Sequence, residues 1–206
     1  RLAPMQLAMH GHASTSGIDS IDYYVTYDFF SEPDAQSHYS EKLIELEGLT
    51  PLTLYYDVVP FQLPQHMRDK KGVKEWRRRF GIPTDKTVYA CTQTLFKVSH
   101  ELDYVVQQIL DGDERGVVLL KELPMTDQVG KLVIARMRKT LTQDHFRRIV
   151  FLPPLSDQDY TNMYGAVDVV LDSFPFGGHT STMDALSIGK PVVTLPTRFM
   201  SGRCTQ

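Results

Sequence analysis

From residue 85 onward, short runs that are apolar on both faces alternate with helix-like segments, and few folds accept that arrangement. TVYAC (87–91), GVVLL (116–120), RIVFL (148–152), DVVLD (168–172) and PVVTL (191–195) read as strands. HELDYVVQQIL, QVGKLVIARMRKTL, SDQDYTNMYGAV and STMDALSIG read as the helices between them. A strand with no polar face must be covered twice, so the pattern implies parallel βαβ units in an α/β, Rossmann-like domain. Ligands of such sheets lie beyond the carboxyl ends of the strands. The loops after Cys91, Leu120, Leu152, Asp172 and Leu195 therefore matter most. The chain contains no Gly-x-Gly-x-x-Gly, which argues against a dinucleotide.

Residues 1–59 read as the tail of a second α/β half. IDYYVTYD is a strand, SEPDAQSHYSEKL a helix opened by Ser31 with Pro33 in its first turn, and LIELEGL a return strand. Residues 60–84 read as a linker with a basic helix, carrying seven Lys or Arg between Arg68 and Arg79, most simply a solvated face. The net charge of −3 gives no bias toward nucleic acid or an anionic membrane. No apolar run approaches the ~18 residues of a membrane span. Cys91 and Cys204 form no metal or redox motif and are expected as two reduced thiols of an intracellular, cytoplasmic-type protein. The start at Arg1 and the end at SGRCTQ suggest a piece of something longer.

Residues 172–184, DSFPFGGHTSTMD, put two glycines and three hydroxyls between a strand and a helix. Gly177 and Gly178 let the backbone come close to a ligand, and the helix then opens at His179, Thr180, Ser181 and Thr182. First-turn amides, the positive end of the helix dipole and hydroxyl donors together make an anion site. Asp184, one turn in, could accept bonds from sugar hydroxyls; plain helix capping accounts for the same residues. Lys97, in the loop TQTLFK after Cys91, is a cation at the same sheet edge. HGHASTSG clusters His10, His12, Ser14, Thr15 and Ser16, either for acid–base chemistry or as a polar loop. Asp111-Gly-Asp113 follows a helix and precedes a strand, which favours a turn over a metal site.

Five phrases in register resemble the O-linked N-acetylglucosamine transferase and Spindly group of glycosyltransferases, glycosyltransferase family 41, in its bacterial-type branch. They are GHASTSGIDSIDYYVTYD, AQSHYSEKLIELEGL, TQTLFK, RIVFLPPLSDQDY and DVVLDSFPFGGHTSTMDALSIGKPVVTLPTRFMSGR. The resemblance implies a GT-B arrangement of two Rossmann-like halves, with 85–206 as an incomplete nucleotide-sugar-binding half. It implies a metal-independent, inverting transfer to Ser or Thr of proteins, with no cofactor beyond a nucleotide-sugar donor of the UDP-GlcNAc or GDP-fucose type. By position, Lys97 matches a lysine on the donor diphosphate, with Gln93 and Thr94 as nearby polar contacts. Gly178, His179, Thr180 and Ser181 match the phosphate-binding helix start, and Asp184 the ribose-binding carboxylate. His12 lies in the loop facing the donor and, with Lys97, is the implied catalytic pair. The base-contact region carries Asp157, Tyr160 and Met163 where animal enzymes carry basic residues, which leaves uracil and guanine open. Ala13 stands where the family has proline.

Two functions remain open on the sequence. One is a protein O-glycosyltransferase, its acceptors held by helical repeats and by the front of the first half, so that 1–206 alone is expected to be inactive. The other is a degenerate, non-catalytic copy serving as an interaction module in a larger assembly.

Overall fold

The computed structural model describes residues 2–9, 11–48, 62–121 and 128–205. Two parallel sheets organise them. The first has three strands in the order β1-β2-β3: β1 is Leu7–Met9, β2 Tyr23–Tyr27 and β3 Lys42–Leu46. The second has five, in the order β6-β5-β4-β7-β8: β4 is Thr87–Cys91, β5 Gly116–Lys121, β6 Ile149–Leu152, β7 Val169–Leu171 and β8 Val192–Val193. Every pairing in it is parallel. Winding runs outward from β4 to β6, then returns to place β7 on the other side of β4. The strand order therefore reverses between β4 and β7, the switch point at which open α/β sheets leave a crevice.

The double-sided apolar runs do what their pattern requires. Val88, Ala90, Val117 and Leu119 pack into one core and Cys91, Val118, Leu120 and Ile149 into the other, so alternate residues of each strand serve opposite faces. On the second face lie α2 (His100–Gly112), through Leu102, Val106 and Leu110, and α3 (Gln128–Thr140), through Val133 and Met137. On the first lie α1 (Lys70–Arg79), α5 (Asp157–Ala166) and α6 (Thr180–Ser187), through Trp76, Met163, Tyr164 and Ala185. No helix among the described residues is long and apolar enough to cross a membrane.

The structure departs from the sequence reading in three places. The helix expected over 31–43 is only a 3-10 turn, Ala35–His38, with β3 starting at Lys42. The Gln36 side chain explains this: its Nε2 donates to the Glu41 carbonyl (2.9 Å) and its Oε1 accepts from the Leu43 amide (2.9 Å). Those groups are thereby drawn into an extended strand start rather than a helical ladder. A short strand, β1, and a short helix, α4 (Gln143–Arg147, capped by Thr142), were not anticipated. The basic helix α1 does carry a solvated face, since Arg77 is the one buried residue among its six Lys and Arg, and its other face is anchored. Trp76 is buried and stacks on Phe80 at 4.5 Å. Arg77 is buried too, donating to the carbonyls of Ala166 (2.8 Å) and Lys86 (3.0 Å) and to Asp168 (2.9 Å). Arg79 grips Asp159 of α5 through two bonds, at 2.8 and 3.0 Å. The 59/60 boundary lies outside the described residues.

The Ser-Thr-Ser cluster is held by a buried acid. Glu41, 2% exposed, accepts from Thr15 Oγ1 (2.6 Å), the Ser16 amide (2.7 Å), Ser16 Oγ and Ser40 Oγ (3.1 Å). Burial opposes ionisation, but the bonds from Ser16 and Thr15 outweigh it and bring the carboxyl down to about 2, from an ordinary 4.5. A carboxylate whose folded pKa is depressed stabilises above its unfolded pKa and stops doing so as pH falls through the folded one. Glu41→Gln should therefore cost about 1–3 kcal/mol near pH 7. The melting-temperature gap between the two proteins should be flat above pH 4.5 and close as pH falls toward 2; a gap that widens in acid would contradict the assignment.

Candidate functional site

The β4 and β7 strand ends open onto two loops that the fold brings into contact. After β4, Leu95–Lys97 forms a 3-10 turn whose last amide, that of Lys97, donates to the Thr94 carbonyl (2.9 Å). Arg136 holds the far side of this turn, donating to the Val98 and Ser99 carbonyls (3.1 and 3.0 Å) while paired with buried Asp103 (2.8 Å). Lys97 is thus aimed back across the switch point. Its Nζ donates to the Gly177 carbonyl (3.1 Å) and Gln93 Oε1 (3.3 Å) and lies 4.3 Å from the Phe176 ring centroid. Burial lowers the lysine pKa, and the charge of Asp172 opposes that shift.

Asp172, directly after β7, shapes the glycine loop. Its Oδ1 accepts from the amides of Ser173 (2.9 Å) and Gly178 (2.6 Å), and its Oδ2 from Thr194 Oγ1 (2.9 Å). The Phe174–Pro175 peptide is cis. Helix α6 then begins after His179, whose carbonyl accepts from the amides of Thr182 and Met183, both at 3.1 Å. Gln93 Nε2 donates to Ser181 Oγ, tying the β4 loop to the first turn of α6. At Gly178 a Cβ would lie 2.5 Å from Gln93 Nε2 and 2.7 Å from Ser181 Oγ, so both side chains would have to move to admit one. The glycine thus lets the loop backbone pack closely against the side chains that join it to the β4 loop.

Asp184 and Tyr160, expected on ribose and base, meet directly. Asp184 is 4% exposed, and Tyr160 Oη donates to its Oδ2 at 3.2 Å. Burial pushes both Tyr160 and Tyr164 upward, Tyr164 to about 12, which keeps both phenols as neutral donors near pH 7. Lys121 Nζ lies 5.0 Å from the Tyr160 ring centroid. Thr180 and Asp157 are exposed at the starts of α6 and α5.

The first sheet contributes a facing wall. A cavity of about 380 Å³ is bounded by Ser14 and Thr15, by Phe30 and Tyr39 beyond β2, and by Phe199 and Met200. Phe30 also meets His179 edge-on, with ring centroids 6.2 Å apart. His12 is exposed; its carbonyl accepts from Tyr24 Oη and the Ser14 amide. His10 lies outside the described residues. Asp111, expected in a turn, instead lies in the last turn of α2 and pairs with His145 (3.0 Å), and Asp113, which ends that helix, accepts from the Arg115 amide (2.8 Å) and Tyr89 Oη (3.1 Å). No group of three His, Cys, Asp or Glu among the described residues is placed to hold a metal. Both cysteines are free, and burial pushes Cys91 to about 12 and Cys204 to about 11.

Residues 63–206 match the family model of glycosyl transferase family 41. The chain belongs to that family. It is 28% identical over 201 residues to the probable UDP-N-acetylglucosamine–peptide N-acetylglucosaminyltransferase SEC of Arabidopsis thaliana, covering 98% of this chain and 20% of that protein. It is 24% identical over 201 residues to the tomato (Solanum lycopersicum) protein SPINDLY of the same description, covering 95% and 19%. The chain thus spans about a fifth of the length of the curated relatives it matches. Among solved structures, a mutant O-GlcNAc transferase of Thermobaculum terrenum superposes with a TM-score of 0.74 at 24% identity, covering 98% of this chain and 35% of that one. A Rickettsia africae glycosyltransferase gives 0.56 at 14%, covering 83% and 43%. These likenesses establish the GT-B-type fold for this family 41 chain.

Sequence reasoning reached both loops of the site but missed Asp172, Thr92 and Tyr164. Only Asp172 left a signal, as an acid closing an apolar strand run. Gly178→Ala should destabilise by about 1–3 kcal/mol, as overpacking does. Gly112→Ala, where an added Cβ meets nothing within 4 Å, should be near neutral. Thermal unfolding of the two variants checks this, and equal shifts would refute the steric reading of Gly178.

Proposed function

We propose that this family 41 chain forms the donor-holding part of a protein O-glycosyltransferase, moving a sugar from a nucleoside diphosphate to Ser or Thr hydroxyls. The observation that carries this is the meeting of Lys97 with the Gly177–Ser181 loop at the β4/β7 switch point. In an inverting transfer the acceptor oxygen attacks the anomeric carbon as the bond to the diphosphate oxygen breaks, and the electron pair leaves with the phosphate. Charge therefore grows on the diphosphate in the transition state. Lys97 and the first-turn amides of α6 are donors fixed before the reaction, which is where electrostatic catalysis gains most. The acceptor proton must pass to a base, and His12 on the facing loop is the candidate. Asp184 takes the ribose hydroxyls, and Tyr160 and Asp157 lie toward the base. The relatives named as N-acetylglucosaminyltransferases support this reading.

Lys97→Ala should weaken UDP or GDP binding by about 1.5–3 kcal/mol, the range for a hydrogen bond to a charged group. Equal affinity by calorimetry would show that the diphosphate binds elsewhere.

Transfer should survive excess EDTA, because Asp111 and Asp113 are committed to His145, Tyr89 and the Arg115 amide. The check is sugar transfer to a Ser/Thr peptide mixture by the whole protein. Activity that vanishes with EDTA and returns with Mn²⁺ would overturn the scheme. Intact nucleotide binding with no transfer under any condition would favour a non-catalytic module.

A further inference from the structure

A buried chain of hydroxyls crosses the floor of the site and ends on the carboxylate assigned to ribose. Tyr164, fully buried on α5, places its Oη 3.2 Å from Thr92 Oγ1, 2.9 Å from Tyr160 Oη and 3.0 Å from the Ser181 carbonyl. Tyr160 Oη in turn reaches Asp184 Oδ2. Proton accounting orders the chain. A carboxylate can only accept, so Tyr160 spends its single hydrogen on Asp184. The contact between the two phenols then needs the hydrogen of Tyr164, shared with the Ser181 carbonyl. Thr92 Oγ1 accepts from Tyr164 as well. Tyr164 therefore ties the β4 loop and the first turn of α6 to the phenol that meets Asp184, and hydroxyls linked in this way polarise one another in a low-dielectric interior.

The same chain spans all the elements that build the site. Thr92 lies at the root of the Lys97 loop, the Ser181 carbonyl in the first turn of α6, and Asp184 one turn farther along. Helix α5, which carries both tyrosines, is itself clamped by Arg79 on Asp159 and by Arg77 on the Ala166 carbonyl.

We infer that Tyr164 is a positioning residue for donor recognition: acting through Tyr160, it holds Asp184 aimed at the ribose hydroxyls. The inference rests on the proposed donor-binding function. It separates from a plain packing role because its effect must depend on the sugar hydroxyls of the nucleotide.

The experiment is calorimetric titration of the whole protein with UDP, GDP and their 2′,3′-dideoxy forms, on wild type, Tyr164→Phe and Tyr160→Phe. Both substitutions keep the ring and remove only the hydroxyl. In the wild type the ribose form should bind more tightly than the dideoxy form. In each variant the ribose form should lose about three- to tenfold in affinity. The dideoxy form should hold steady, so that the preference shrinks. A Tyr164→Phe/Tyr160→Phe double variant should lose no more than the worse single one, as expected for one connected chain. Variants that keep the full wild-type preference, or lose both forms equally, would overturn the inference and leave the donor site standing. A wild type that binds the nucleotide without preferring ribose would remove the Asp184 assignment, and the inference with it. A wild type that binds no nucleotide would overturn the proposed function as well.

Discussion

The pairing of β7 against β4 is the constraint from which the site follows. Only Tyr89 with Val169 and Ala90 with Val170 form its register, yet those pairs put two loops distant in sequence side by side. Had the winding continued outward past β6, the Lys97 loop and the glycine loop would lie at opposite edges of the sheet. Because the strand order reverses there, neither helix crosses the gap, and the crevice belongs to side chains and first-turn amides. Lys97 then needs only one short 3-10 turn to reach the Gly177 carbonyl. The ion pair of half-buried Arg136 with buried Asp103 keeps that turn from swinging away.

A second dependence runs between the sheets. Met200 is buried in the core of the first sheet with Tyr24, Tyr27 and Phe30, although it follows β8 of the second. Its sulfur lies 3.3 Å from Tyr39 Oη and 3.6 Å from Thr26 Oγ1. Arg203 pairs with Glu32, and Arg198 with Asp34, on either side of it. Full burial of a methionine side chain stabilises by roughly 1.5–3 kcal/mol, whereas exposed ion pairs such as Arg198–Asp34 add little. The joint is therefore mainly a hydrophobic plug, and the charged pairs set its register. The plug also keeps Phe30 in contact with His179, so the facing wall is fixed relative to the phosphate-type loop.

What the sequence revealed divides along a physical line. The five strands of the second sheet were legible because burial on both faces leaves unbroken apolar runs, and the glycine-hydroxyl loop because its surplus exceeds what a turn needs. β1 was not legible: Leu7 and Met9 are exposed, and three residues carry no period. The segment 31–43 has helix-compatible spacing, but Gln36 and Glu41 satisfy backbone and hydroxyl groups in ways no local pattern announces. Tyr164 and Met200 read as ordinary core residues. Their partners lie 72 positions away at Thr92 and 161 positions away at Tyr39, so their roles exist only once the chain has closed on itself. In the basic helix the one buried charge, Arg77, is likewise defined by partners distant in sequence, Ala166 and Asp168.

A proposed diphosphate site that holds two buried carboxylates needs an electrostatic explanation. Asp172 lies close enough to Lys97 for its charge to oppose the lowering of the lysine pKa by burial. Its own charge is taken up by the Ser173 and Gly178 amides and the Thr194 hydroxyl. Those bonds turn the carboxylate inward and fix the glycine loop. Asp184 is likewise met by a phenol that burial holds neutral. In each case the negative charge is spent on donors before a ligand arrives, while Lys97 and the opening of α6 face the crevice. A diphosphate would thus meet a positive, already ordered surface, and the reorganisation that water would demand is done by folding.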